Sequence, residues 1–168
     1  MLLDFDPDVV AVSSQPFCLT WACQPGARRH VPDYFARLAD GSAVVIDVRP
    51  DELIGAGDAG VFAATRLACA AVGWGYRRVG VVDAVLAANV RWLSGFRYRR
   101  CGNAPAGAEL VRRVAAGPVT VTDLAGCAGD RLAVLPALYH LLWRGVLAAD
   151  LAAAPLSGRT VVRAGRAA

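Results

Sequence analysis

The first fifty residues alternate between short apolar runs and turn-forming residues, which is the pattern of β-strands joined by tight turns. Apolar runs of this kind lie at 9–12, 17–21, 30–38 and 44–49. The last run, rich in Val and Ile, predicts a strand that is buried on both faces. Asp40-Gly41 predicts the hairpin turn that joins it to the run before it. This part of the chain is therefore expected to form antiparallel strands.

The hydrophobic period becomes helical after these strands. Asp58 is expected to cap a helix that Gly73 ends, with apolar side chains recurring on one face. A strand over 76–82 follows, and Asp83 is expected to cap a second helix that ends at Gly95. Strands followed by a helix, a strand and a helix predict a mixed α/β domain.

A stretch rich in Gly, Ala and Pro at 102–107 is predicted to be a linker between a domain at 1–101 and a domain at 108–168. Beyond it the pattern is helical and then gives way to short strands. The first helix is expected over 109–116, and a second, short helix is expected to follow a capping box at Thr120. A third helix is expected to end at Arg144 and either to start or to kink at Pro136. Strands are expected over 146–150 and 159–163. Three helices followed by a two-stranded ribbon are typical of a winged-helix domain.

Composition and charge narrow the possible functions. The 168 residues are 56% hydrophobic and 19% charged, which excludes extended disorder as the dominant state. All 18 basic residues are Arg, so the chain has no lysine amine for general-base or Schiff-base chemistry. Residues 1–83 carry ten acidic residues and seven Arg, whereas the rest of the chain carries four and eleven. We expect a metal site in the acidic half and a polyanion, nucleic acid above all, on the basic half.

The five cysteines are odd in number, follow no regular spacing and are not preceded by a signal sequence. Reduced thiols in a cytoplasmic protein are therefore expected. The apolar run at 132–143 is too short to cross a bilayer. Cys18, Cys23 and His30 are a weak alternative as zinc ligands, because their spacing matches no compact zinc pattern and a fourth ligand is missing.

Two aspartates carry the strongest indication of chemistry. Asp33 lies near the start of one predicted strand and Asp47 near the end of the next, so a hairpin brings them side by side. Neighbouring carboxylates repel each other unless they share a cation, and oxygen ligands favour Mg²⁺ or Mn²⁺. Arg49 follows Asp47 by two positions, which places both side chains on one strand face and suits metal-dependent phosphodiester hydrolysis. The alternative is an exposed Asp47–Arg49 ion pair, with Asp33 merely opening a strand.

Four ordered motifs around these aspartates resemble the TnsA endonuclease family, whose members are subunits of heteromeric transposases within the PD-(D/E)xK nucleases. The motifs are Leu3-Asp4-Phe5-Asp6-Pro7-Asp8-Val9-Val10, Ser14-Gln15-Pro16-Phe17, His30-Val31-Pro32-Asp33-Tyr34 and Asp47-Val48-Arg49-Pro50. The resemblance covers about residues 3–95. It implies a restriction-endonuclease-like mixed sheet flanked by helices, followed by a C-terminal domain that agrees with the winged-helix prediction.

The resemblance also implies a ligand set. Asp33 and Asp47 would bind the catalytic Mg²⁺ or Mn²⁺, with the backbone carbonyl of Val48 as a further ligand. Arg49 stands where the family usually has Lys; it keeps a charge that steadies the scissile phosphate but cannot serve as a base. Gln15 matches a recurring family position and is assigned to support of the site.

Two further expectations concern the same site. His30 lies close to Asp33 in the sequence and is expected to support the site through a phosphate contact. The family has a helix carrying a catalytic Glu before the segment that matches residues 2–7, whereas the first Glu here is Glu52. The acids that would have to replace it are Asp4, Asp6 and Asp8. A site that lacks the family's catalytic Glu is expected to bind metal more weakly and to be less active.

The segment Phe96-Arg97-Tyr98-Arg99-Arg100 alternates aromatic and basic residues, which predicts a strand that lays Arg97, Arg99 and Arg100 along DNA phosphates. A solvated strand edge is equally compatible with the pattern. The third helix of the second domain is too apolar to contact base edges well, so this domain is expected to dock a protein as readily as DNA. The partners that the resemblance implies are a DDE transposase subunit and an AAA ATPase regulator.

The expected function is a Mg²⁺-dependent endonuclease subunit of a transposase, which hydrolyses phosphodiesters at transposon ends. Such a protein would be cytoplasmic and bacterial, and nucleoid-associated when it acts. Two alternatives stay open. One is a catalytically impaired DNA-binding or assembly subunit that docks transposase partners, and the other is another PD-(D/E)xK nuclease, such as a resolvase or repair enzyme.

Overall fold

The computed structural model describes residues 1–23 and 26–165, which divide into two compact units. The sheet unit is Asp8–Val82, and the helical unit joins Met1–Pro7 to the chain from Asp83 onward. The mixed α/β class expected from the sequence is confirmed. The division differs from the expected boundary at 102–107, because the helix that follows Asp83 packs into the core of the helical unit.

Helices and strands follow one another along the chain in both units. In chain order they are α1 (Leu2–Phe5), β1 (Val9–Ser14), β2 (Leu19–Ala22), β3 (Ala27–His30), β4 (Tyr34–Leu38), β5 (Ala43–Val48), α2 (Asp58–Ala71), β6 (Gly75–Val79), α3 (Ala84–Leu93), α4 (Ala104–Ala115), β7 (Val119–Thr120), α5 (Val121–Cys127), α6 (Arg131–Trp143), β8 (Leu147–Ala148) and β9 (Val161–Ala164). Short 3₁₀ turns lie at Asp51–Leu53, Ser94–Phe96 and Arg99–Cys101. Within residues 1–23 and 26–165, none of the helices has the length and apolar character needed to cross a membrane.

Four strands of the sheet unit form one mixed sheet in the order β1-β4-β5-β6. β4 is antiparallel to both β1 and β5, and α2 carries the chain across to β6, which runs parallel to β5. The β4–β5 turn is the expected hairpin: Gly41 takes φ +85°, and Asp40 Oδ1 accepts the Ser42 N–H at 2.8 Å. β5 is buried along 44–47, as its Val/Ile run predicted.

The strand expected over 30–38 is in fact two strands. β3 ends at His30 and pairs with β2 in a separate hairpin, whereas β4 begins at Tyr34 and joins the mixed sheet. Pro32 lies between them; it has no N–H for a ladder and restricts the backbone of the residue before it. His30 therefore belongs to a different ladder from Asp47.

The helical unit is built on one apolar core. α4, α5 and α6 contribute fully buried side chains to it, among them Leu110, Leu124 and Leu138. Val90 and Leu93 of α3 are fully buried in the same core, so α3 belongs to this unit. β7, β9 and β8 form a small antiparallel arrangement in that order.

The stretch expected to be a linker begins a helix instead. Asn103 caps α4 by accepting the Ala106 N–H, and Pro105 occupies the first turn, where the missing N–H of proline costs no helical hydrogen bond. The helix therefore starts at Ala104 and not at Glu109. Local composition suggested a linker, but the cap and the buried face of α4 favour helix.

Other helix ends in this unit agree with the sequence. Asp83 caps α3 by accepting the Leu86 N–H, and Thr120 caps α5 through the Asp123 N–H, as the capping box predicted. α6 begins before Pro136 and continues through it, so the proline does not mark the start of the helix.

The two units share the formal charge differently from the two halves of the sequence. The sheet unit has seven acidic residues and seven Arg, whereas the helical unit has seven acidic residues and eleven Arg. Asp4, Asp6 and Asp83, which fall in the acidic half of the sequence, belong to the helical unit. The sheet unit is thus formally neutral, and the basic surplus of the chain lies in the helical unit.

Candidate functional site

Two aspartates lie at the same end of the β4–β5 hairpin. Tyr34 of β4 pairs with Ile46 of β5, so Asp33 immediately precedes the paired part of β4 and Asp47 immediately follows the partner residue in β5. Oδ2 of Asp33 accepts the Val48 N–H at 2.7 Å, which holds this carboxylate at the end of β5. The hairpin pattern predicts that the two residues lie at the same end of the hairpin, and that the two carboxylates share a metal ion stays a prediction.

Asp47 is the buried member of the pair, with 3% of its surface exposed. His30 Nε2 lies 3.0 Å from both carboxylate oxygens of Asp47, and Tyr76 donates its hydroxyl to Oδ2 at 2.8 Å. An ionised carboxylate can only accept, so His30 Nε2 carries a hydrogen in this arrangement. The two donors compensate a buried charge that would be costly in an apolar environment.

Asp47 in turn changes the acidity of the groups around it. Burial, followed by the hydrogen bond to Asp47 and its negative charge, raises the pKa of Tyr76, so the hydroxyl stays a donor at neutral pH. Burial and the charge of Asp47 also raise the pKa of Cys69, which is therefore a neutral buried thiol on α2. The same helix places the Arg66 guanidinium 5.7 Å from the centroid of the Tyr76 ring.

Tyr76→Phe tests the hydroxyl contact to Asp47. Removing a donor from a buried carboxylate is expected to lower the free energy of unfolding by about 1–3 kcal/mol, while the packing of the ring is kept. Urea denaturation followed by circular dichroism measures the change. Tyr34→Phe is the matched control on the same sheet, since Tyr34 is exposed and should change stability by less than about 0.5 kcal/mol. Equal effects would show that the Tyr76 hydroxyl does not stabilise Asp47.

The expected placement of Arg49 beside Asp47 rests on strand alternation. β5 ends at Val48, but the Arg49 N–H still donates to the Val79 carbonyl of β6 at 2.9 Å, and the shared face stays a prediction. The Arg49 carbonyl accepts a hydrogen bond from Arg78 at 2.8 Å, while the Arg49 side chain is exposed. In the described part of the chain, Arg49 takes part in none of the ion pairs. The alternative of an exposed Asp47–Arg49 ion pair is therefore wrong.

Gln15 lies next to Asp33 and contacts it through the backbone. It follows β1, donates its N–H to the Asp33 carbonyl at 2.9 Å and takes φ +47°, a left-handed conformation that is uncommon outside glycine. This position is compatible with the supporting role assigned to Gln15, and that role stays a prediction.

Two residues of β6, Tyr76 and Arg78, belong to this edge although no motif in the sequence indicated them. Parallel pairing of β5 with β6 sets Arg78 beside Asp47 in register, and its guanidinium bonds the Arg49 carbonyl and the Asp51 carboxylate. The available signal was the strand predicted after the first helix, since a strand–helix–strand order indicates a parallel neighbour.

The Arg-rich segment of the helical unit is not a strand, contrary to expectation. Two 3₁₀ turns replace it, so the alternation of rings and arginines does not sort them onto two faces. Tyr98 is exposed, and the guanidiniums of Arg97 and Arg100 lie 4.5 and 4.6 Å from its ring centroid. The strand expected to place these arginines along DNA is therefore not formed. That DNA is bound by Arg97, Arg99 and Arg100 stays a prediction.

All five cysteines are free thiols. Among residues 1–23 and 26–165, no group of three or more His, Cys, Asp or Glu side chains is placed to hold a metal ion. A zinc site on Cys18, Cys23 and His30 therefore finds no support. Asp4 and Asp6, two of the acids considered as replacements for the family's Glu, fall in the helical unit and not in the sheet unit.

Comparison with known proteins adds no family assignment to this geometry. No protein-family model matches the chain, and no curated protein matches it.

Proposed function

We propose that the chain is the metal-dependent endonuclease subunit of a TnsA-type heteromeric transposase, which hydrolyses phosphodiesters at transposon ends in DNA. The observation that carries the proposal is the placement of Asp33 and Asp47 at the same end of the β4–β5 hairpin, where Asp33 accepts the N–H of the residue that follows Asp47. Paired carboxylates of this kind suit Mg²⁺ or Mn²⁺ and the phosphate chemistry that these ions support.

The order of the elements supports the same proposal. The antiparallel strands β1, β4 and β5, followed by α2 and the parallel strand β6, are compatible with a restriction-endonuclease-like mixed sheet. In the helical unit, α4, β7, α5, α6, β8 and β9 follow the order of a winged-helix domain. The partners that the proposal implies are DNA, a DDE transposase subunit and an AAA ATPase regulator, in the bacterial cytoplasm.

The donor chemistry at the edge of the sheet fits a hard divalent cation. Asp33, Asp47 and the carbonyl of Val48 would hold it, since all three supply oxygen. The recorded contacts on both carboxylates come from N–H or O–H donors, as expected of ionised groups that a cation can also bind. When bound, Mg²⁺ or Mn²⁺ supplies activation of water and neutralises charge on the phosphate.

The protein's own residues orient the two carboxylates. His30 and Tyr76 fix Asp47 by hydrogen bonds, and a backbone N–H fixes Asp33. Arg49, exposed just after β5, supplies a permanent positive charge for the scissile phosphate. Its guanidinium keeps its own protons at neutral pH, so it cannot take a proton from water.

Manganese binding tests the proposal without requiring catalysis. A ligand at ten times its dissociation constant stabilises the folded state by roughly 1.4 kcal/mol, which raises the thermal midpoint of a protein of this length by about 3–6 °C. We expect this shift for the wild type and its loss in Asp33→Asn, whose amide oxygen can still accept the Val48 N–H. Differential scanning fluorimetry with and without MnCl₂ measures both.

Asp40→Asn is the matched control for this experiment. Asp40 stabilises the β4–β5 hairpin turn and has no part in the Asp33–Asp47 pair, so the variant should retain the manganese shift. Equal shifts in the wild type, Asp33→Asn and Asp40→Asn would place the ion elsewhere and contradict the metal site.

A catalytically impaired assembly subunit is the second candidate function. It is favoured because the described residues contain no cluster of three or more His, Cys, Asp or Glu side chains able to hold a metal. Neither a manganese-dependent shift of the thermal midpoint nor cleavage of DNA by the wild type would select this candidate over the endonuclease.

A further inference from the structure

The helical unit contains a groove that has no role in the site on the sheet. It has a volume of about 730 Å³ and is lined by residues of α4 and α6 and by the residues just before α4. A cavity of this size can accommodate a small ligand or several side chains of a partner.

The floor of the groove is apolar. Gly107 and Val111 line it from α4, and Ala137 and Leu141 line it from α6. Covering such a surface with apolar side chains is favourable, because it removes aliphatic area from water. A phosphate group would gain nothing from this floor.

The rim of the groove is cationic. Arg99, Arg112 and Arg144 line it, but Arg112 is already bonded to Glu109, where hydrogen bonds from Arg112 and Arg113 lower the pKa of the carboxyl to about 2. In the part of the chain that the structure describes, Arg99 and Arg144 form no ion pair. These two exposed guanidiniums are therefore available to an anionic ligand, and the N-terminus of α4 adds positive potential beside them.

His140 adds a polar atom of defined character. Its side chain is buried, with 9% exposure, yet it lines the groove, and its Nδ1 lies 2.8 Å from the Phe96 carbonyl. A carbonyl only accepts, so Nδ1 carries the hydrogen and the neutral ring has Nε2 as an acceptor. Nε2 lies beside Gly102, where an added Cβ would come within 3.5 Å of it, and no described residue hydrogen-bonds this nitrogen. Nε2 of His140 can therefore accept a hydrogen bond from a ligand.

We propose that this groove binds an acidic amphipathic segment of a partner protein, with apolar side chains on the floor and carboxylates on Arg99 and Arg144. A peptide also provides N–H donors for His140 and large apolar side chains for the floor, whereas a DNA backbone offers His140 only acceptors. The surplus of Arg in the helical unit attracts an acidic partner over longer distances. Peptide binding in this groove does not depend on Asp33 or Asp47. A negative result for docking therefore leaves the proposed nuclease activity standing, and the reverse also holds.

The test uses the full chain and a fluorescein-labelled peptide of about 18 residues built from Leu, Ala and Glu, long enough to form a helix. Fluorescence anisotropy is expected to show binding that weakens at least about tenfold in Arg144→Glu, where an attractive charge becomes a repulsive one. Gly107→Leu fills the floor without changing the charge and should weaken binding equally. An added Cβ at Gly107 meets only Leu141 Cδ1, at 3.8 Å, so this variant should keep the fold.

Arg159→Glu is the matched control, because it makes the same charge change at an exposed position outside the groove and should leave peptide binding unchanged. Thermal melts check the fold of each variant, and Arg99→Glu gives a second charge reversal on the rim.

Three results would overturn the proposal. The wild type does not bind the peptide; Arg144→Glu and Arg159→Glu weaken binding equally while Gly107→Leu has no effect; or duplex DNA displaces the peptide and its own binding is lost in Gly107→Leu.

Discussion

Asp47→Asn is expected to reduce Mg²⁺- or Mn²⁺-dependent cleavage of DNA by about 100-fold or more, because even residues that merely orient metal ligands contribute roughly 10–100-fold. Asn has nearly the shape of Asp. Its amide oxygen can accept the Tyr76 hydroxyl, and His30 in its other tautomer can accept the amide N–H, so these contacts are kept while the charge that attracts the cation is lost. Nicking of supercoiled plasmid, resolved by gel electrophoresis, measures the loss.

Asp40→Asn serves as the control in this assay as well, since it removes one carboxylate charge from the hairpin turn and leaves the Asp33–Asp47 pair intact. Cleavage by Asp47→Asn at the wild-type rate would remove Asp47 from the mechanism. A wild-type protein that nicks DNA with neither metal would favour the assembly subunit over the endonuclease.

Leu138→Ala is expected to destabilise the helical unit by about 2–5 kcal/mol. Leu138 has 0% exposure and belongs to the core formed with α3, α4 and α5. Its truncation loses the transfer free energy of the side chain and leaves a cavity that close-packed neighbours fill only in part. Urea denaturation followed by circular dichroism measures the change.

Leu132→Ala is the matched control for this prediction. Leu132 lies on the same helix, α6, but is 82% exposed, so its truncation should change stability by less than about 0.5 kcal/mol. If the two variants lost similar amounts of stability, the packing of α6 around Leu138 would not be the main source of stability in this unit.

Elements with local causes could be predicted from the sequence. The Asp40-Gly41 hairpin, the buried strand β5 and the caps at Asp83 and Thr120 are each specified by a few adjacent residues, and the structure contains all of them. The neighbourhood of Asp33 and Asp47 belongs to this class, because a hairpin turn and the two-residue period of strands set the register between them.

Elements decided by distant contacts could not be predicted in this way. The stretch at 102–107 has a linker-like composition, yet Ala106 is buried in the core of the helical unit and the backbone there is helical. The segment around Tyr98 alternates like a strand, but no partner strand pairs with it among the described residues, and 3₁₀ turns form. Composition and alternation are local quantities and do not record which surface a segment packs against.

The sequence by itself determined that this chain contains a mixed α/β unit in which a hairpin places Asp33 and Asp47 at the same end of two neighbouring strands. It also determined that a second unit is rich in helices. Only the tertiary structure decided what surrounds Asp47: His30 from a separate hairpin and Tyr76 from the strand beyond α2. It also decided that α3 joins the helical core and that a cationic groove lies along α4 and α6. Adjacency across one hairpin follows from turn length and strand period, whereas contacts between separate elements depend on how whole faces pack, and no short stretch of sequence encodes that packing.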